Sequence, residues 1–256
     1  MEKSKKTEYR APALEKGLEI LELLASEVDP LTKKQIAEKL NRSVSEIFRM
    51  LSVLIDKQYI EFDSELSSYK LTLKMFALSN QQSPIAQLLK HATPLMEQLS
   101  HKMNQSCHLS RYQNGELVVI ARHESPYKMG FSLRVGSKID ICSSGSGVIL
   151  LSYSSDKNRQ EILAKTDATE EEAAHALSSI EATLQKGYFV GESPQISGVT
   201  NISVPIFGVS GEIMAVITIP FMTLDSRTVH HHIEDIEHTR EELLKVASRL
   251  NHNLTS

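Results

Sequence analysis

The tightest constraint on this chain is a pair of helix-start signals separated by only a short turn. Thr32 is followed three residues later by Gln35, and Ser43 by Glu46. In each pair the hydroxyl can cap a backbone N–H while the longer side chain returns to the cap's own N–H. The first helix then shows Ile36, Ala37 and Leu40; the second shows Ile47, Leu51 and Leu54 on one face, widened by Met50. Upstream, Leu14, Leu18, Leu21 and Leu24 predict an amphipathic helix, broken at Asp29-Pro30. Downstream, residues 59–62 and 69–73 alternate around a polar turn, which reads as a β-hairpin. Helix, helix, tight turn, helix and hairpin predict a winged helix-turn-helix over residues 10–74.

The rest of the chain changes character twice. A helix over 73–80 and a polar hinge at 79–83 lead to Pro84, where a new helix carries Ile85, Leu88 and Leu89; a linker helix is expected over 75–92. Pro94 interrupts it, and Leu95, Met96 and Leu99 resume the pattern. From Ser106 the period becomes that of strands, with Asn114-Gly115 as a hairpin turn and further strands at 117–122, 131–135, 202–207 and 213–219. Between them lie a small-residue loop at 143–147 that opens a helix and an acidic helical stretch at 156–187, which Gly187 caps. Residues 226–251 predict a terminal amphipathic helix, and residues 1–10 a loose polar lead. The fold class expected is α+β, with an antiparallel sheet in a second domain over 93–256.

Bulk properties narrow the setting. A length of 256 residues with 41% apolar and 23% charged side chains suits two modest folded domains. Two cysteines, Cys107 and Cys142, make neither a disulfide framework nor a paired metal motif. The charged N-terminus lacks a signal-peptide core, and no run approaches membrane-spanning length, so a cytoplasmic protein without membrane contact is expected. The net charge of −4 argues against indiscriminate coating of nucleic acid, yet residues 32–51 hold five cations, Lys33, Lys34, Lys39, Arg42 and Arg49, against Glu38 and Glu46. Phosphate neutralisation makes that local asymmetry count for more than the total.

Those residues define a candidate DNA-binding set. On the second capped helix Ser45, Glu46, Arg49 and Ser52 lie opposite the apolar face and can reach base edges. Arg49 is the leading candidate for a guanine or phosphate contact. Thr32, Lys33 and Ser43 at the helix starts, and Ser68 and Lys70 with Ser67 on the hairpin, are placed to meet backbone phosphates.

The sequence resembles the IclR family of bacterial regulators. The resemblance runs through the stretch from Leu31 to Leu40, through Ser45-Glu-Ile-Phe-Arg-Met-Leu, Tyr59-Ile-Glu and Tyr69-Lys-Leu-Thr-Leu-Lys, with Ser45, Arg49 and Leu51 on the family's recognition-helix pattern. It continues through Ile141-Cys-Ser-Ser-Gly-Ser-Gly-Val, Lys186-Gly187-Tyr188, Gly198-Val-Thr-Asn-Ile-Ser-Val-Pro205 and the hairpin from Gly211 to Pro220. The chain departs from the family at Cys142, where His is usual, at Val148 (Lys) and Asn201 (Cys), and in an acidic stretch reduced to Glu192 before Ser193 and Pro194. The resemblance implies a GAF-like effector domain, a homodimer or dimer of dimers, repression of an operon, and control by a small, often carboxylate-bearing, metabolite.

A small anion needs backbone N–H groups and hydroxyls in a concave site. Ser143, Ser144 and Gly145 precede a helix start, while Asn201, Ser203 and Thr218 are polar residues in apolar strands; with Glu192 these form the candidate effector set. Buried hydroxyls there need partners, and a ligand is one source; local backbone bonds are another. No catalytic constellation, cofactor or metal site is expected. His230, His231 and His232 point in different directions on a helix, Cys107-His108 and Cys142 share a metal only if the fold brings them together, Glu170, Glu171 and Glu172 read as a solvated face, and the Ser-Gly-Ser-Gly loop matches neither a nucleophile elbow nor a phosphate loop. The readings set against the regulator are an enzyme, or a protein-interaction sensor, that uses the N-terminal helices as a docking module.

Overall fold

The computed structural model describes residues 11–81, 83–127, 130–223 and 235–255. The histidine run at 230–232, the start expected for the terminal helix and the lead at 1–10 lie outside the described residues. The chain divides into two compact units, Met1–Ser83 and Pro84–Ser256.

In the first unit α1 (Pro12–Ser26), α2 (Lys33–Lys39) and α3 (Val44–Asp56) pack over a small antiparallel sheet. Its strands, β1 (Leu31–Thr32), β2 (Ile60–Asp63) and β3 (Ser68–Leu71), stand in the order β1-β3-β2, so β3 is central. The two-residue β1 was not legible in the sequence. Both expected capping boxes close, at Thr32/Gln35 and Ser43/Glu46. Between the helices Asn41 takes the left-handed conformation that ends α2 and turns the chain. The core gathers Ile20, Leu24, Leu31, Ile36, Ile47, Leu51 and Ile60. Truncating one such buried leucine, Leu51→Ala, is expected to cost roughly 2–5 kcal/mol.

The face of α1 differs from the leucine spacing. Ile20 and Leu24 are buried, whereas Leu14 and Leu18 stay 64% and 49% exposed. Ile20 supplies the inward contact, and the outer leucines line an apolar groove of about 710 Å³ with Met50, Val53, Tyr59, Met75 and Leu78.

After α4 (Lys74–Asn80), the second unit opens on α5 (Ser83–Met103), a single helix that passes through Pro94 rather than stopping there. Pro94 removes one helical N–H donor. The apolar contacts of Leu88, Ala92, Met96, Leu99 and Met103 hold the helix across that gap. A six-stranded antiparallel sheet follows, ordered β6-β5-β4-β9-β8-β7. Its strands are β4 (Cys107–Gln113), β5 (Glu116–His123), β6 (Lys138–Ile139), β7 (Phe189–Glu192), β8 (Val199–Phe207) and β9 (Ile213–Met222). Residues 131–135, expected as a strand, are irregular, and the edge place beside β5 is taken by β6. The expected helical stretch at 156–187 is three helices, α7 (Asp156–Leu163), α8 (Glu170–Ser178) and α9 (Ile180–Lys186), and Gly187 ends the last with φ 82°.

Alternation gives this sheet two different faces. Cys107, Leu109, Ile202, Val204, Ile206, Ile217 and Ile219 pack with α5 and with α10 (Ile236–Thr255) into an apolar core. The residues between them, His108, Ser203 and Thr218, are polar yet buried, on the face covered by α6 (Gly145–Tyr153).

Candidate DNA-reading helix and effector chamber

The α3 helix turns Ile47, Leu51 and Leu54 into the core and leaves Ser45, Phe48, Arg49, Ser52 and Val53 exposed. Arg49 has no ion-pair partner among the described residues. Phe48 is 53% exposed, with the Lys33 ammonium 5.0 Å from its ring centre. An exposed aromatic on a reading helix suits a thymine methyl. Phe48 sits beside Arg49 in the same motif, yet the candidate set read from the sequence did not include it.

Other members of the expected DNA set are engaged within the protein. The Glu46 carboxylate takes Lys16 at 2.6 Å and the Ser43 hydroxyl at 2.8 Å, and its pKa is pushed down to about 2 by the bond from Lys16 first and Ser43 second. Arg42 grips Glu19 through Nε and Nη2, at 2.9 and 2.8 Å, and Lys39 holds Glu27 at 2.8 Å. The positive excess of residues 32–51 is therefore offset by carboxylates of the preceding segment. Thr32 and Ser43 direct their oxygens to their own caps. Lys70 pairs with Glu61 across the hairpin at 2.9 Å. Ser68 is only 4% exposed, since β3 is flanked by β1 and β2; the expectation that it meets phosphate is corrected by its central place in the sheet.

In the second unit the small-residue loop has a steric cause. A Cβ on Gly147 would stand 1.9 Å from the Ile141 carbonyl oxygen, and one on Gly145 would stand 2.8 Å from both Phe189 and the Ser203 hydroxyl. Only glycine lets the first turn of α6 press this close to the chain before it and to the sheet. Ser144 caps the helix, accepting from Gly147 N–H at 3.0 Å, and no acidic residue occupies the first turn. The first-turn N–H groups of Gly145 and Ser146 have no helical acceptor, so the helix start keeps its donor character. The Ser143 and Cys142 N–H groups are not donors to a ligand: both bind Asp140 Oδ1, at 2.9 and 2.8 Å, a partner the sequence did not reveal.

Two adjoining cavities meet at Ser143, Ser144 and Gly145. The outer one, about 420 Å³, carries Glu192 with Glu171, Glu172 and His175. The inner one, about 40 Å³, carries Asn201 and Thr218. Ser203 lines neither; it lies beneath, bonded at 2.7 Å to Thr218 Oγ1, which meets Ser146 Oγ at 2.9 Å. The strand hydroxyls thus satisfy one another, and an unpartnered polar group lies beside them. His108, directly across from Thr218 in the ladder, is 3% exposed, and neither ring nitrogen has a hydrogen-bond partner among the described residues. Burial alone pushes its pKa down to about 4, so the ring is neutral. Cys107, its neighbour, points through the sheet into the apolar core, with its thiol pushed up to about 12 by burial.

Comparison with known proteins agrees with this anatomy. Residues 13–64 match the IclR helix-turn-helix domain, and residues 83–252 match the domain described as bacterial transcriptional regulator IclR C-terminal. Among relatives, the HTH-type transcriptional regulator KdgR of Dickeya chrysanthemi is 26% identical over 222 residues, covering 84% of this chain and 70% of its own length. The HTH-type transcriptional repressor AllR of Escherichia coli is 24% identical over 215 residues, covering 82% and 79%. An IclR homologue from Microbacterium hydrocarbonoxydans, solved with 4-hydroxybenzoate, shares the fold at TM-score 0.79 and 18% identity over 94% of this chain and 98% of that one. The chain therefore belongs to the IclR family of bacterial transcriptional regulators, which join a DNA-binding helix-turn-helix domain to an effector-binding domain.

Proposed function

We propose that this protein is a cytoplasmic repressor that reads its operator with α3 and releases it when a small carboxylic acid enters the chamber at the start of α6. The observation that carries the DNA half is the outward stripe Ser45, Phe48, Arg49 and Ser52 above a closed core. Arg49 reads a guanine edge or a phosphate, Phe48 a thymine methyl, and Lys33 approaches the backbone. The AllR relatives are named as repressors, which favours repression. The effector half rests on the open helix start beside Ser144, Gly145, Asn201 and Thr218.

The protein acts as a homodimer, so that two reading helices meet half-sites about one helical turn apart. An uncovered apolar groove bounded by Leu14, Leu18 and Val53 supports self-association. Effector binding changes operator affinity by favouring one of two conformations of the assembly.

The test uses a duplex selected from a random pool by the full-length protein. Affinity should fall steeply with salt, as phosphate contacts demand, and Arg49→Ala should weaken binding by roughly 10- to 100-fold. A salt-independent affinity, or one unchanged by Arg49→Ala, sinks the DNA assignment. A thermal-shift screen with short carboxylates tests the other half, since a ligand at 100 times its Kd should add about 2.7 kcal/mol.

A further inference from the structure

The inner chamber holds one feature that the family's helix-start geometry does not account for. His108 sits on β4 with both ring nitrogens unpartnered among the described residues, on a side chain almost wholly buried and lining the chamber. The neighbouring hydroxyls give it no bond, because Thr218 is tied to Ser146 and Ser203. Among the described residues no carboxylate lines the chamber; Phe131, Leu133, Ile139 and Pro220 close its apolar side. From β5, Arg122 stands across the ladder from His108 but is directed to Ser132 and Glu124, and Lys138 on β6 pairs with Glu116.

We propose that His108 is the residue that reads the effector, and that it selects a short carboxylic acid carrying a hydroxyl group. This rests on the reading of the chamber as the effector site. A buried polar group without a partner is costly, and here two of them belong to one ring. A neutral imidazole presents one N–H donor and one bare nitrogen acceptor. A ligand hydroxyl answers either nitrogen, giving its proton to the bare one or accepting from the other. A keto oxygen answers only the N–H, and a methyl group answers neither. The carboxylate end goes to the N–H groups at the start of α6, which line the same chamber. The volume, about 40 Å³, admits only a few heavy atoms, given that one water needs roughly 10–15 Å³. Specificity of this kind is sharp, because the analogue lacking the hydroxyl leaves a buried group unpaired.

The test is calorimetric titration of the full-length protein with glycolate and acetate, and with lactate and propionate. Each hydroxy acid should bind its wild-type target roughly 10- to 100-fold tighter than its partner acid. His108→Leu should erase that preference, while His108→Gln, which keeps a donor and an acceptor, should retain part of it. The wild-type protein supplies a readout free of any folding defect in the variants: the imidazole 15N resonances of His108 should move with glycolate and stay put with acetate. Equal binding of all four acids, with the His108 resonances unmoved, overturns the role of His108 and leaves the acid-binding chamber standing. Binding of none of the four overturns both.

Discussion

Helices α3 and α6 both begin on a serine cap, yet their starts are finished differently. At α3 the Glu46 carboxylate closes over Ser43 and is itself held by Lys16, so the positive end of the helix is already neutralised within the protein. At α6 the cap is Ser144 alone, with no acid in the first turn. The bodies differ in the opposite sense. The α3 helix is strongly two-sided and shows a polar and aromatic stripe to solvent, whereas α6 is buried from Gly145 to Ser152 and is reached only at its capped start beside Ser143 and Ser144. A helix with a closed start recognises through its flank; a helix with an open start and a buried flank recognises through its end.

The comparison can be broken at four places. The largest effect is expected at Gly147→Ala, whose new Cβ would overlap the Ile141 carbonyl. Overpacking against backbone should lower stability by about 3 kcal/mol or more in denaturant unfolding, and a change under 0.5 kcal/mol would refute the close approach of α6. Next, Ser68→Ala should leave operator affinity unchanged beside the large loss at Arg49→Ala; a matching loss would return the wing serine to the interface.

The third concerns His108 and pH. Its folded pKa of about 4 lies below the ordinary 6.5, so between those values the unfolded state takes up the proton first. Stability is therefore full above pH 6.5 and falls as pH drops towards 4, by about 3 kcal/mol at most from this residue. His108→Leu should flatten that part of the stability profile, and an unaltered slope would place the ring in water. The smallest effect belongs to Glu46→Gln. If the carboxylate serves only the cap and Lys16, operator affinity stays level or rises as a negative charge leaves the helix; a fall would make Glu46 a base reader after all.

The first unit was readable in the sequence because its information is local. Capping boxes, the Asp29-Pro30 break and the alternation of the hairpin each lie within a few residues, and each sits where expected. What failed there was pairing at a distance: Glu19 and Glu27 engage Arg42 and Lys39, and the two-residue β1 makes Ser68 central. In the second unit the loop, Gly187 and the main hairpin were legible, whereas β6, two residues long, is too short to show a period, and β7 was not assigned as a strand. Phe131, Leu133 and Val135 alternate like a strand, yet Phe131 and Leu133 line the chamber from irregular backbone. His108 carried no signal of its own. Its meaning comes from register, which sets it opposite Thr218 after the hydroxyls have paired among themselves.

The most direct test crosses the two helices. Operator affinity and glycolate affinity should be measured on the same preparations of wild type, Arg49→Ala and His108→Leu. The account predicts that Arg49→Ala loses DNA by roughly 10- to 100-fold and keeps glycolate, while His108→Leu loses glycolate and keeps DNA. If either substitution removed both affinities while the protein stayed folded, or if the two losses were exchanged, the division of labour between a flank and an end would be wrong.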